Sequence, residues 1–224
     1  MATAVPASSS VTPGHDTAGT LMSKVASYVQ AVTDDAEVKS TILCALNGAI
    51  AFVNARPWYK LTSSSDLDMT ADDDDIGLPA TFKEPLACYQ LNSSDERTKR
   101  LPYKPLQTLL AERQDNTTPG TPSAYAINYN TRELILDIQP SSAWVTNNPE
   151  LRLYFHRRLA ELTQDSSVSG GEPEFDWFLI WYARREMAAV RDPGKFQLAD
   201  RMTEQFYREL RRSDTNQQTD WVLT

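Results

Sequence analysis

The sequence predicts an α+β fold in which a helical bundle, built from N-terminal helices and a C-terminal helix hairpin, carries a small inserted antiparallel β-domain. Three observations carry that expectation. Apolar residues recur at helical spacing over residues 21–57 and again over 172–212. Between them, residues 58–162 change to short alternating runs separated by turn residues. The closing helices are joined by so short a connection that they must pack as an antiparallel hairpin. Residues 1–20 read as a flexible arm and residues 213–224 as a polar tail.

The first helical pattern is weak: Leu21, Val25, Tyr28, Val29 and Val32. Asp34 followed by Glu37 then suggests a capping box. After it Val38, Ile42, Ala45, Leu46, Ala49 and Val53 form a 3.6-residue stripe, widened by Leu43 and Ile50. That helix must stop before Pro57, which lacks an N–H and restricts Arg56.

The middle region begins with a strand over residues 58–68, followed by the run Asp72-Asp73-Asp74-Asp75, whose self-repulsion predicts an exposed loop. An extended run from Leu78 to Leu91 turns at Asn92-Ser93-Ser94-Asp95, and Leu106, Leu109 and Leu110 mark one short helix. Residues 117–122 read as a Pro/Gly loop. Two β runs at 124–129 and 133–138 are separated by Asn130-Thr131, which suggests a hairpin. Leu151, Leu153 and Phe155 alternate with Arg152, Tyr154 and His156, as in a half-buried strand.

After a polar Ser/Gly loop at 163–171, Phe175, Phe178, Leu179, Tyr182, Ala183, Met187 and Val190 make a wide stripe, thickened by Trp177, Ile180 and Trp181. A helix apolar over so much of its circumference is buried on more than one side. Asp192-Pro193 supplies the N-cap and first residue of the last helix. Its stripe is Phe196, Ala199, Met202, Phe206 and Leu210, and Glu204 is placed to pair with Arg208. Arg211 and Arg212 end that helix, where positive charge complements the dipole. The tail beyond is polar until Trp221, Val222 and Leu223, the pattern of a segment that orders on binding and inserts an aromatic anchor.

Composition excludes several function classes. Hydrophobic residues make up 41% of the 224, enough for a core and too many for global disorder. No run reaches the roughly 20 continuous apolar residues of a membrane span, and residues 1–20 lack the basic and apolar blocks of a secretory signal. The two cysteines, Cys44 and Cys88, read as small core hydrophobes rather than a disulfide framework, which suits synthesis in a reducing cytoplasm. Net charge is −8: residues 1–150 hold 11 basic and 18 acidic side chains, whereas 151–212 hold 11 and 10. Condensation onto nucleic acid needs a net basic surface, so DNA can pass such a chain without sticking.

Catalytic and cofactor chemistry finds little support. His15 lies in the arm and His156 in a strand, neither with metal-ligand spacing to a Cys, Asp or Glu. The eight glycines form no phosphate loop. Four consecutive aspartates lack the alternation and turn glycine of a calcium loop. The aromatic run from Phe175 to Tyr182 has core spacing rather than that of a base-stacking platform. The expectation is a non-enzyme with no cofactor and no metal.

Three stretches resemble the head-to-tail adaptors of tailed bacteriophages, the group that includes tail tubular proteins of the A type. The first is Ile42-Leu43-Cys44-Ala45-Leu46-Asn47 running to Arg56-Pro57-Trp58-Tyr59. The second is Leu78-Pro79-Ala80-Thr81-Phe82, followed by Gly120-Thr121-Pro122 and Tyr125-Ala126-Ile127. The third is the aromatic helix after Asp176, then Lys195-Phe196-Gln197-Leu198-Ala199 with Phe206-Tyr207. The likeness spans residues 38–210. It implies a virion protein of the neck whose copies form a ring of about twelve beneath the portal protein, contacting downstream tail or neck proteins while DNA passes through during ejection. On that footing Arg211, Arg212, Trp221, Val222 and Leu223 become the candidate portal interface, and Asp72, Asp73, Asp74 and Asp75 a candidate channel-facing loop. Two other classes compete: a virion-associated cell-wall hydrolase, which needs two carboxylates about 5–10 Å apart in a cleft, and a regulatory module offering its acidic loop to a basic partner.

Overall fold

The computed structural model describes residues 16–31, 35–113 and 118–222, the last seven in backbone only. In chain order the first elements are α1 (Ala18–Tyr28), α2 (Ala36–Asn54), β1 (Thr62–Asp68), β2 (Asp75–Gly77), β3 (Phe82–Leu91) and β4 (Arg97–Leu101). They are followed by α3 (Leu106–Arg113), β5 (Tyr125–Asn128), β6 (Glu133–Leu136), α4 (Ser142–Asn147), β7 (Glu150–Arg157), α5 (Pro173–Arg191) and α6 (Pro193–Val222). These make two compact units, one of Met1–Lys60 with Leu159–Thr224, the other of Leu61–Arg158. The chain is thus a mixed helix and sheet protein with antiparallel sheets.

In the helical unit α1 and α2 each start where a side chain can take up free backbone N–H groups. Thr17 caps α1 by accepting from Thr20 N–H at 3.3 Å. Asp35 caps α2, accepting from Glu37 N–H at 2.8 Å and Val38 N–H at 3.4 Å. The capping-box reading put the cap at Asp34, which lies outside the described residues; the cap falls one residue later, with Glu37 as a donor of its N–H. Val38, Ile42, Leu46, Ala49, Ile50 and Val53 are the buried face of α2. By length and a mean hydropathy of 1.4, α2 could cross a membrane, but it packs against α1 and α5 as a core helix does.

The central member is α5, in contact with α1, α2 and α6. Two of its aromatic residues pack as core: Phe175 meets Trp58 edge-on at 5.6 Å, and Phe178 lies 5.8 Å from both Phe52 and Tyr207, whereas Trp177 is exposed. Trp58 satisfies its indole N–H on Val53 O at 2.8 Å. Two expectations fail here. Val190, assigned to the buried stripe, is 83% exposed, because the buried face at the end of α5 runs through Met187 and Ala188 instead. Cys44, assigned to the core, is also exposed; it sits on the outward side of α2, two residues from both Ile42 and Leu46 of the buried face.

The second unit holds a four-stranded sheet, in order β1-β7-β3-β4, and a three-stranded sheet, in order β2-β6-β5, all antiparallel. Leu67, Cys88, Leu101, Leu151, Leu153 and Phe155 of the larger sheet share one core with Tyr125, Ile127, Leu134 and Leu136 of the smaller. On its other face the smaller sheet offers Ala126 and Ile135 to Leu109 of α3. Pro85 cannot donate to a ladder, and the β3–β7 register shifts between Pro85 and Ala87. The β5–β6 hairpin turns through Asn130-Thr131, with Asn128 Oδ1 accepting from both N–H groups at 3.1 and 3.4 Å. Three short elements were not anticipated: β2, whose first residue is the last of the aspartate run, β4, whose exposed Arg97–Arg100 stretch shows no apolar alternation, and α4, which Ser141 caps by accepting from Trp144 N–H at 3.3 Å.

Candidate interaction surfaces

The aspartate run is not a uniformly solvated loop. Asp72 takes the left-handed conformation with φ of 65° and donates its N–H to Pro140 O at 2.9 Å. Asp72, Asp73 and Asp75 are exposed, but Asp74 is only 5% exposed. Its Oδ2 meets Arg113 Nη1 at the end of α3 as an ion pair without hydrogen-bond alignment. Its carbonyl oxygen accepts from Leu136 N–H at 3.0 Å, so the backbone there already belongs to the smaller sheet. This corrects the expectation that all four aspartates are exposed: pairing with one arginine, supplied by a distant helix, overcomes the repulsion that governs the isolated run. Asp75 has an exposed side chain, yet the limited desolvation of its carboxyl, then Asp74, hold it above the usual aspartate value, with Arg113 opposing.

The second candidate, at the C-terminus, is also corrected. Arg211 and Arg212 do not end the last helix, because α6 continues through Val222. Thirty residues at about 1.5 Å each make a rod of roughly 45 Å. Trp221 and Val222 therefore stand on helical backbone, and Leu223 lies outside the described residues. Arg211 and Arg212 are both exposed. Helical continuation is favoured by i,i+4 support such as Arg208 Nη2 to Glu204 Oε2 at 2.8 Å and Gln205 to Glu209 at 2.9 Å.

Of the two histidines, His15 lies outside the described residues and His156 is buried in β7. Asp66, Asp95 and Glu150 come close enough together to hold a cation. The cation already there is a guanidinium: Arg152 reaches Asp66 Oδ1 at 2.7 Å and Asp95 Oδ1 at 2.6 Å. Its hydrogen bonds to Asp66 push the Arg152 pKa further above its ordinary value. On the same sheet Arg97 of β4 lies over Tyr89 of β3 at 5.4 Å and Tyr154 of β7 at 5.2 Å. Such cation–aromatic and ion-pair clusters give a surface fixed shape and hydrogen-bonding groups.

The chain thus joins a helical unit to a double-sheet unit whose surface carries arginine ion pairs. The chain belongs to the SU10 adaptor protein family, whose model matches residues 16–222. That is a family of phage head-to-tail adaptors, so the chain is a phage adaptor protein of a structural rather than an enzymatic family. Membership implies a place in the virion neck and contacts with portal and tail proteins. No curated protein matches the chain.

Sequence reasoning missed Arg113 as the partner of Asp74, and it missed the group Lys83, Arg132 and Arg158, which line one cleft. A lone basic residue closing a short helix, with an acidic run elsewhere, was the available signal for the first. For the second there was none, since the three cations come from separate segments.

Proposed function

We propose that copies of this chain form a ring beneath the portal, extend the DNA channel and present the platform on which the tail is attached. The observation that supports this reading is the family match across residues 16–222, which takes in both units. The net charge of −8 suits a wall past which DNA slides without condensing. In this reading α6 is the portal-docking element, with Arg211 and Arg212 on its flank and Trp221, Val222 and Leu223 near its end. The free protein is mainly monomeric, because like-charged copies repel until the portal arranges them. The test is negative-stain imaging of purified protein with and without portal. Rings that appear only with portal support the reading, whereas portal left bare, or decorated by scattered single copies, overturns it.

A further inference from the structure

Lys83, Arg132 and Arg158 line a cleft of about 160 Å³ with Leu78, Phe82 and Tyr129, all in the β unit. Three separate segments bring these cations together. Lys83 follows Phe82 at the start of β3. Arg158 directly follows β7 and donates its backbone N–H to Thr81 O at 2.8 Å. Arg132, in the left-handed conformation with φ of 62°, holds the β5–β6 turn against the chain by donating from Nη2 to Pro79 O at 2.9 Å and Ala80 O at 2.8 Å.

Among the described residues none of the three forms an ion pair. Lys83 Nζ is buried and has no hydrogen-bond partner. Burial holds its pKa below the ordinary lysine value, with Arg158 adding to the effect and nearby Glu84 opposing it. A buried ammonium without a partner is costly, and an anion in the cleft would remove that cost.

The position of the cleft says where the anion comes from. β2 pairs with β6 so that Asp75 faces Ile135 and Gly77 faces Glu133. The exposed Asp72 and Asp73 lie beyond one end of this ladder, and Arg132 beyond the other. A head-to-tail contact between identical copies joins two different patches of one surface. An acidic turn and a cationic cleft at opposite ends of a ladder are such a complementary pair. Nucleic-acid phosphate is the weaker fit: over residues 61–158 the chain has 14 acidic and 10 basic side chains, and condensation onto DNA needs a basic surround.

We infer that the Lys83–Arg132–Arg158 cleft receives the Asp72–Asp73 turn of a neighbouring copy, making a charged contact that closes the ring. This rests on the ring reading above. The test compares four full-length proteins on purified portal by negative stain: the native chain, Lys83→Glu with Arg158→Glu, Asp72→Asn with Asp73→Lys, and all four changes together. Arg132 is kept because it braces the turn, and Asn is used at 72 because it tolerates the left-handed backbone. Thermal melts of each protein alone first establish that it folds. Each pair of changes should reduce ring occupancy at least tenfold, and the fourfold variant should restore it. Lys83→Met should raise the melting temperature of the free protein while weakening ring assembly. Rings unaffected by the cation reversals, or no restoration in the fourfold variant, overturn the inference while leaving the ring reading intact. So does a loss of retention on duplex DNA with rings unchanged, which would make the cleft a phosphate site. Failure of the native chain to form rings on portal sinks the ring reading itself, and this contact with it.

Discussion

Asn54 and Leu159 exchange two hydrogen bonds: the Asn54 side-chain amide donates to Leu159 O at 3.0 Å, and Asn54 Oδ1 accepts from Leu159 N–H at 2.8 Å. Two turns earlier Asn47 makes the same exchange with Leu162, at 2.9 Å in both directions. Residues seven apart lie on one helix face. The two asparagines therefore hold the chain re-entering the helical unit as a strand neighbour would, by supplying a donor and an acceptor to each clasped residue.

Asn54→Leu keeps the volume and removes both bonds, leaving the Leu159 N–H and carbonyl unpaired. The expected cost is about 1–3 kcal/mol. It should appear in urea titration as a lower midpoint with an unchanged slope. A loss below about 0.5 kcal/mol would mean that water replaces the clasp.

Breaking the Asp74–Arg113 pair should cost more than removing it. Arg113→Met leaves a buried carboxylate, and about 2–4 kcal/mol is expected, toward the lower end because Arg113 is partly exposed. Asp74→Asn combined with Arg113→Met should recover most of that loss. A double-mutant cycle that found the two changes additive would show no coupling between them.

The raised Asp75 carboxyl makes stability depend on pH. Its folded form keeps the proton after the unfolded form, at about the ordinary value of 3.8, has lost it. The associated stability is complete below that value and is lost as pH rises through the folded value. Asp75→Asn should therefore raise the melting temperature at pH 7 and lose that advantage at pH 3. An equal gap at both pH values would exclude this origin.

The two thiols should react at very different rates. Cys44 is exposed, whereas Cys88 is buried in β3 with its pKa pushed up to about 12 by burial. A thiol-reactive dye should label Cys44 within seconds to minutes, and Cys88 only as the β unit opens. Labelling of Cys88 that matched Cys44 in native buffer would contradict its burial.

Removal of residues 219–224 tests the role proposed for α6. The melt of the free protein should be unchanged, and portal binding should weaken by at least ~2 kcal/mol, the scale of an interface hot spot. Full affinity in the shortened protein would place the docking element elsewhere.

Much of the fold was legible because it rests on local periodicity. The Val38–Val53 stripe, the Asn130-Thr131 turn and the break at Asp192-Pro193 each announce themselves within a few residues. What was not legible depends on tertiary partners. Asp74 is buried because Arg113, 39 positions away, reaches it. β2 hides in an acidic run because its pairing with β6, not its own composition, makes it a strand. The six residues of α4 are too few to show a helical period. Beyond Arg212 the polar composition suggested a tail, yet polar residues also suit a solvated helix already propagating from Pro193. The cleft cations come from three segments, so no window along the chain contains them.

The β unit leaves and returns through neighbouring strands. Thr62, at the start of β1, is the register partner of His156, near the end of β7. Paired strand residues stand only about 5 Å apart, so the whole 61–158 segment begins and ends at nearly the same point. To the helical unit the folded segment acts as a short connection, because the β1–β7 pairing already holds its two ends together. Such a segment is a cassette. Changes of length inside it need not move the two points at which the helical unit holds it.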